Sequence, residues 1–339
     1  MSINRDYTTN KDTNLYLEST LKLRQLRRVF DRHAAQFRNV AFLPREVARR
    51  MHKRLLYIKS QPACVLDAGC GAGEDIDVLR TLCVQATIYG VDLSRAMLSA
   101  GHSGYSIGCG NISGWHRFLL SVLRYFSTSH IQPGNRIQAD FSALPFAPGR
   151  FDLLWSNLAL QWHAHPDLVF LEWKRVLKTG GLLMFSTLGP DTLQELRSAR
   201  AAADGSNSQN MRNFFDMHDI GNMLVTSGFE IPVIDMDTLT VMYSSPKSLL
   251  EDVRIWGAVP QRGVSNGDTL CKSISRGTYY RILDALETQR RPDGRIPLTF
   301  EILYGYARKA IDQMTPEGHN IIRVNEIDYK SYGASKRSF

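Results

Sequence analysis

The sequence predicts an α/β fold, a doubly wound and mostly parallel sheet covered by helices on both faces. Three observations carry this. Short, nearly continuous apolar runs alternate with helical patterns between residues 63 and 187, as strands buried on both faces require. The first run ends in an acid and a glycine-rich turn that opens a helix, Val65-Leu66-Asp67-Ala68-Gly69-Cys70-Gly71-Ala72-Gly73. The next run, Tyr89-Gly90-Val91-Asp92, ends in a second acid nineteen residues after Gly73.

The elements follow in order. Leu23, Leu26, Phe30, Ala34 and Phe37 step by 3, 4, 4 and 3, which makes residues 20–37 an amphipathic helix with Arg and Lys on its other faces. Pro44 suits the first turn of a second helix, where its missing N–H costs nothing. Val47, Met51, Leu55 and Ile58 continue that helix until Gln61-Pro62 breaks it. Strands are expected at 63–67, 86–92, 136–139, 151–156 and 182–187, with helices near 73–83, after Ser94 as a cap, and at 166–177. Beyond a polar loop at 204–213 come a helix near 216–227, strand-like segments at 229–243, helices near 246–256 and 275–290, and a last strand at 298–306. Residues 101–135 exceed the few residues of an ordinary α/β loop and read as an insertion. Within it Trp115, Phe118, Leu119, Val122, Leu123 and Phe126 recur at helical spacing. The expected organisation is a basic N-terminal pair of helices at 1–60, a core at 61–309 and a polar tail at 310–339.

Composition narrows the class. The 339 residues are 43% hydrophobic and 22% charged, which excludes a disordered, fibrous or disulfide-scaffold protein. No apolar stretch reaches the roughly 18 residues of a membrane span. The first twenty residues lack an apolar h-region, so a reducing cytoplasm is the expected compartment. Cys64, Cys70, Cys83, Cys109 and Cys271 are scattered without a C-x-x-C pair, and no H-E-x-x-H occurs, so no metal is expected.

Charge is uneven. The net +8 arises in residues 1–59, which hold 14 Lys+Arg and 5 Asp+Glu, whereas the other 280 residues hold 27 and 28. Between Asp92 and Asp140 no acid occurs, while Arg95, Arg117, Arg124 and Arg136 do. Such one-signed surfaces suit an acidic partner: nucleic acid, an anionic membrane or an acidic protein.

The glycine turn carries the chemistry. Glycines let backbone approach a ligand closely, and the carboxyl end of a strand in such a sheet is where a nucleoside binds. A carboxylate at Asp92 can accept both ribose hydroxyls. A dinucleotide fingerprint is G-x-G-x-x-G, but this chain has G-x-G-x-G with Asp67 two residues before it. An acid there repels a pyrophosphate and suits a cationic amino-acid end, so the spacing favours S-adenosylmethionine as the ligand. Asp140, in Ala139-Asp140-Phe141-Ser142, would by itself read as a helix N-cap.

With these motifs the sequence resembles the class I S-adenosylmethionine-dependent methyltransferases. Phe151-Asp152-Leu153-Leu154-Trp155-Ser156-Asn157 and Arg175-Val176-Leu177-Lys178-Thr179-Gly180-Gly181 carry the resemblance through the core. Phe30-Asp31-Arg32-His33-Ala34-Ala35, Ser156-Asn157-Leu158-Ala159-Leu160-Gln161-Trp162, Phe185-Ser186-Thr187-Leu188-Gly189-Pro190-Asp191-Thr192-Leu193 and Asp216-Met217-His218-Asp219-Ile220 resemble the malonyl-acyl-carrier-protein O-methyltransferases of biotin synthesis. The resemblance implies a Rossmann-like, seven-stranded sheet with N-terminal lid helices. It implies a donor site at Asp67, Ala68, Gly69, Gly71, Gly73, Asp92, Leu93, Asp140, Phe141 and Asn157, with S-adenosylhomocysteine as product. It places the acceptor pocket at Asn157, Gln161, Trp162 and Thr187, with Phe37, beneath a lid from residues 20–45. Family members carry Tyr where this chain has Phe37 and Gln where it has Pro44. His33 could face that pocket or solvent.

The implied reaction is in-line attack by a carboxylate on a sulfonium methyl, which needs no general base because a carboxylate of pKa near 4 is ionised at neutral pH. An acidic acyl carrier protein is the implied partner. Other readings stay open: a respiratory-complex assembly factor with the same core, or a small-molecule or RNA methyltransferase. A nucleic-acid acceptor is not expected, since Asn157-Leu158-Ala159-Leu160 lacks the Pro-Pro-aromatic turn that grips a flipped base.

Overall fold

The computed structural model describes residues 6–58, 61–100, 135–204, 214–256 and 275–310, with side chains from residue 23. The basic insertion expected at 101–135 and the tail expected at 310–339 fall almost wholly outside the described residues.

Two helices lead the chain, α1 (Asp6–Val40) and α2 (Phe42–Tyr57). Pro44 sits in the first turn of α2 as its chemistry demands. Leu43, Val47, Met51 and Leu55, one helical face, are buried in the core. Beside that face α2 is tied to the sheet edge. Arg50 pairs with Asp237 and Arg54 with Asp235. Four helix residues advance about 6 Å. Two strand residues advance about 6.7 Å. The two ion pairs therefore match in register.

The sheet has seven strands: β1 (Cys64–Ala68), β2 (Thr87–Asp92), β3 (Arg136–Gln138), β4 (Phe151–Ser156), β5 (Leu177–Leu188), β6 (Phe229–Tyr243) and β7 (Ile296–Lys309). Their order is β3-β2-β1-β4-β5-β7-β6. The first five are mutually parallel, and β7 runs antiparallel to both neighbours. The expected doubly wound, mostly parallel sheet is what forms. The winding direction reverses between β1 and β4, so a crevice opens past their carboxyl ends.

Helices cover both faces: α3 (Glu74–Leu82), α4 (Arg95–Ala100), α5 (Pro166–Val176), α6 (Gln194–Asp204), α7 (Met217–Thr226), α8 (Pro246–Ile255) and α9 (Arg276–Glu287). One core joins Met51, Leu79, Leu196, Val253 and Leu286 to Trp155 and Met184 of the sheet. The other joins Phe170, Trp173 and Leu224 to Leu154, Leu183 and Phe185. Each such side chain contributes about 1.5–3 kcal/mol on burial. Ser94, Asp216, Ser245 and Ser275 each accept a hydrogen bond from the backbone N–H three residues on, which starts their helices.

Two expectations are corrected. The strand expected at 182–187 begins at Leu177, directly after α5, because Gly180 (φ +73°) lets the chain turn within the ladder. Asp140 caps no helix: its Oδ1 accepts the Ser142 N–H at 2.8 Å in a turn of irregular backbone.

Candidate active site

The glycine turn lies at the crevice. Gly69, Gly71 and Gly73 all have positive φ, at +84°, +53° and +81°. The N–H groups of Gly69 and Cys70 both donate to the Val91 carbonyl, at 2.8 and 3.0 Å, so the turn is folded over the end of β2. A Cβ at Gly69 would collide with that of Ala159, and one at Gly73 with the Arg136 guanidinium. Arg136 donates to the Ala72 carbonyl at 3.2 Å, which sets a fixed positive charge over the turn. In the sequence Arg136 is marked only as part of a one-signed stretch. Its half-buried place over the glycines needs β3 to lie next to β2, which spacing along the chain does not reveal.

Three acids meet here. Asp67 is 1% exposed, and its Oδ2 has no hydrogen-bond partner among the described residues. Burial pushes its carboxyl well above the usual range, with the charges of Asp75 and Asp92 adding and Arg136 opposing. Asp92 accepts from the N–H of Gly71 and of Ser94, both at 2.8 Å. Burial nevertheless pushes it up to about 6, against those two hydrogen bonds. Buried acids of this kind are stabilised by a cation or by donor hydroxyls. The turn's own thiol, Cys70, is pushed up by burial and stays protonated, so it is no nucleophile.

Ala68 is fully buried, and its carbonyl accepts from the Ser156 hydroxyl at 2.8 Å, joining β1 to β4. The Leu93 carbonyl accepts from Gln138 at 3.1 Å. Phe141 packs 6.0 Å from the Trp173 ring and 6.1 Å from His163, and its carbonyl accepts from Trp173 Nε1. The structure thus brings Asp67, the glycines, Asp92 and Phe141 around one crevice.

The acceptor-side residues separate into two groups. Trp162 ends a short 3-10 turn (Leu160–Trp162) and meets Phe30 of α1 edge-on at 5.4 Å. Phe37 continues that aromatic row, 6.3 Å from Phe30. Thr187 is buried near the carboxyl end of β5. Gln161 donates at 2.6 Å to the Leu158 carbonyl. Asn157 is differently placed: its amide nitrogen donates to the Pro44 carbonyl at 3.0 Å and to Asp75 at 3.2 Å, and its oxygen accepts from Ser186 at 2.9 Å. His33 is buried at 6% exposure, which removes the solvent-facing alternative. His163 is held neutral by burial, its Nδ1 engaged by the His165 backbone.

Asp31 is a further tie. Its Oδ1 accepts from the Ser94 hydroxyl and from the Ala96 N–H, so α1 caps α4 directly after Asp92. Spacing along the chain links Asp31 to neither Ser94 nor Ala96, and it does not single out Asp75 or His52. An acid in a helix's first turn and a histidine at helical spacing are common enough to carry no signal alone.

The fit to S-adenosylmethionine can be judged from these atoms. The orphaned Asp67 oxygen answers an ammonium group and Asp92 answers hydroxyls, while Ala159 and Arg136 fill the space that a Cβ would take at Gly69 and Gly73. Among the described residues no group of His, Cys, Asp or Glu is arranged to hold a metal, and no helix is long and apolar enough to cross a membrane.

Residues 66–185 match a family described as a methyltransferase domain. The malonyl-[acyl-carrier protein] O-methyltransferase of Gallionella capsiferriformans is 38% identical over 308 residues, covering 91% of this chain and 98% of the relative. That of Laribacter hongkongensis is 39% identical over 283 residues, covering 84% and 88%. That of Legionella pneumophila is 33% identical over 308 residues, covering 91% and 98%. With identity of 33–39% running over most of the chain, the chain belongs to the malonyl-[acyl-carrier protein] O-methyltransferase family.

Proposed function

We propose that this methyltransferase uses S-adenosylmethionine to esterify the free carboxylate of a malonyl thioester on an acyl carrier protein. The observation that carries the donor is the buried Asp67 carboxylate, open at Oδ2 beside a turn with three glycines at positive φ. The acceptor is supported by the end-to-end similarity to relatives of that name.

Asp67 holds the donor's ammonium end, the glycine turn lies along its amino-acid arm, Asp92 accepts the ribose hydroxyls, and Asp140, Phe141 and Leu93 line the adenine side. When bound, S-adenosylmethionine supplies a methyl on a sulfonium centre, and transfer to a carboxylate oxygen leaves a neutral ester and a neutral thioether. Because opposite charges disappear in that step, a dry pocket favours it over water. Phe30, Phe37 and Trp162 form the aromatic wall that excludes solvent, with Gln161 and Thr187 on the acceptor side. Holding the carboxylate in line supplies the remaining advantage. No base is needed, and His163 Nδ1 is engaged by the His165 backbone.

Where the family's Tyr would present a hydroxyl, Phe37 offers only ring surface, so acceptor orientation here rests on shape. The carrier protein docks on α1. Arg24, Arg28 and Arg32 are exposed, lie four residues apart on one helix face, and have no ion pair among the described residues. An acidic carrier meets that stripe on the face of α1 turned away from the Phe30–Trp162 contact, and the opposite charges steer its approach.

The test is competition between acceptors. With labelled donor, malonyl-loaded carrier protein is expected to take up methyl faster than malonyl-coenzyme A, and bulk RNA to take up none. Preferential labelling of RNA would overturn the reading.

A further inference from the structure

The acceptor loop is fastened to the donor turn by a buried clamp. Asp75, in the first turn of α3, has a side chain 13% exposed. Its Oδ2 accepts from Trp155 Nε1 at 3.1 Å and from the Asn157 amide at 3.2 Å. The same amide reaches the Pro44 carbonyl of α2, and the Ser186 hydroxyl of β5 donates to the Asn157 oxygen. Ser186 Oγ also accepts the Leu158 N–H at 2.9 Å. Leu158 stands at φ +46°, a left-handed conformation that a leucine adopts only when its surroundings enforce it. The next residue, Ala159, fills the space a Cβ at Gly69 would need. One continuous line therefore runs from Asp75 through Asn157, Ser186 and Leu158 to Ala159, seated on the donor turn. His52 closes the other side, stacked 4.7 Å from Trp155 with Nε2 3.7 Å from Asp75 Oδ1.

We infer that Asp75, acting through Asn157 and Ser186, is a positioning residue that sets the separation of the two reactants. It touches neither of them. Asn157 is accordingly a strut of the loop carrying Gln161 and Trp162, not a ligand of the acceptor carboxylate. Strand β4, α2 and the donor helix α3 meet at this carboxylate and β5 joins through Asn157, so loosening it lets the acceptor loop shift against a donor turn that stays formed.

The geometry selects the variants. Asp75→Asn keeps an oxygen for Trp155 and Asn157 and offers its amide to His52 Nε2, so it preserves the clamp. Asp75→Leu removes both acceptors at similar volume. Ser186→Ala frees Leu158 and Asn157 from β5, and carries the test alone should Asp75→Leu not fold. The inference rests on methyl transfer to a carboxylate. A wild-type protein making no ester fails that reading, whereas ester formation that survives the clamp variants fails this one. With folding checked by thermal melting, Asp75→Leu and Ser186→Ala are expected to lower kcat at least about tenfold, as small misplacements of reactants do. Donor Kd should stay within about threefold, Asp75→Asn should retain most activity, and the double variant should lose less than the product of the single losses. Unchanged kcat in the folded variants, a loss of donor affinity as large as the loss in kcat, or multiplicative losses would overturn it.

Discussion

The Ser94 hydroxyl donates a 2.6 Å hydrogen bond to Asp31 Oδ1, and the Ala96 N–H donates to the same oxygen. Through this bond the leading helix holds the turn whose Asp92 faces the donor. Asp31→Ala is expected to destabilise the protein by about 1 kcal/mol, the usual worth of a lost cap. Donor affinity should also weaken severalfold. Thermal melts with and without S-adenosylmethionine separate the two effects.

Gly69→Ala should be far more costly than an ordinary glycine replacement. The new Cβ would have to occupy a left-handed backbone and the space of Ala159 together. Loss of donor binding with a markedly lowered Tm is expected, by calorimetry and melting. Gly149→Ala, whose φ is also positive but whose Cβ meets nothing within 4 Å, serves as the control.

Asp92 gives a pH dependence with a definite sign. Its carboxyl, pushed up to about 6, can accept a ribose hydroxyl on each oxygen only when ionised. Donor affinity should be full above pH 6 and fall below it, with log Kd rising by up to about one unit per pH unit. In the ligand-free protein the group acts oppositely. The folded state keeps the proton up to about 6 while the unfolded chain loses it near the ordinary value of 3.8, so this group's contribution to stability declines as pH rises between them. Calorimetric titration across pH 5–8 checks the first statement. Asp92→Ala should bind weakly with that dependence removed, and Asp67→Ala should also bind weakly.

Arg24, Arg28 and Arg32 offer a kinetic test of docking. Reversing all three to Glu should raise KM for malonyl-carrier protein at least about tenfold, leaving KM for malonyl-coenzyme A nearly unchanged. Raised salt should imitate the first effect in the wild-type enzyme.

Much of this was legible in the chain. Strands such as Val65–Asp67 and Phe151–Ser156 are apolar on both faces, and Asp67, the glycines and Asp92 announce themselves by spacing. Helix α6 did not. Its buried face is Leu196, Ala199 and Ala203, mostly methyl groups that give no apolar stripe to read. The clamp was equally hidden, because Pro44, Asp75, Asn157 and Ser186 come from four distant segments. Asn157 drew notice as a ligand through its motif, yet its polar atoms are committed to protein partners. His33 could not be assigned a side until α1 had a neighbour to pack against.

The central claim is that a malonyl carboxylate receives the methyl. Intact mass spectrometry of malonyl-loaded acyl carrier protein, incubated with the enzyme and S-adenosylmethionine, tests it most directly. The account predicts one added methyl per malonyl group, lost on mild ester hydrolysis, with one S-adenosylhomocysteine formed for each. An unmodified carrier protein, despite measurable donor binding, would contradict it.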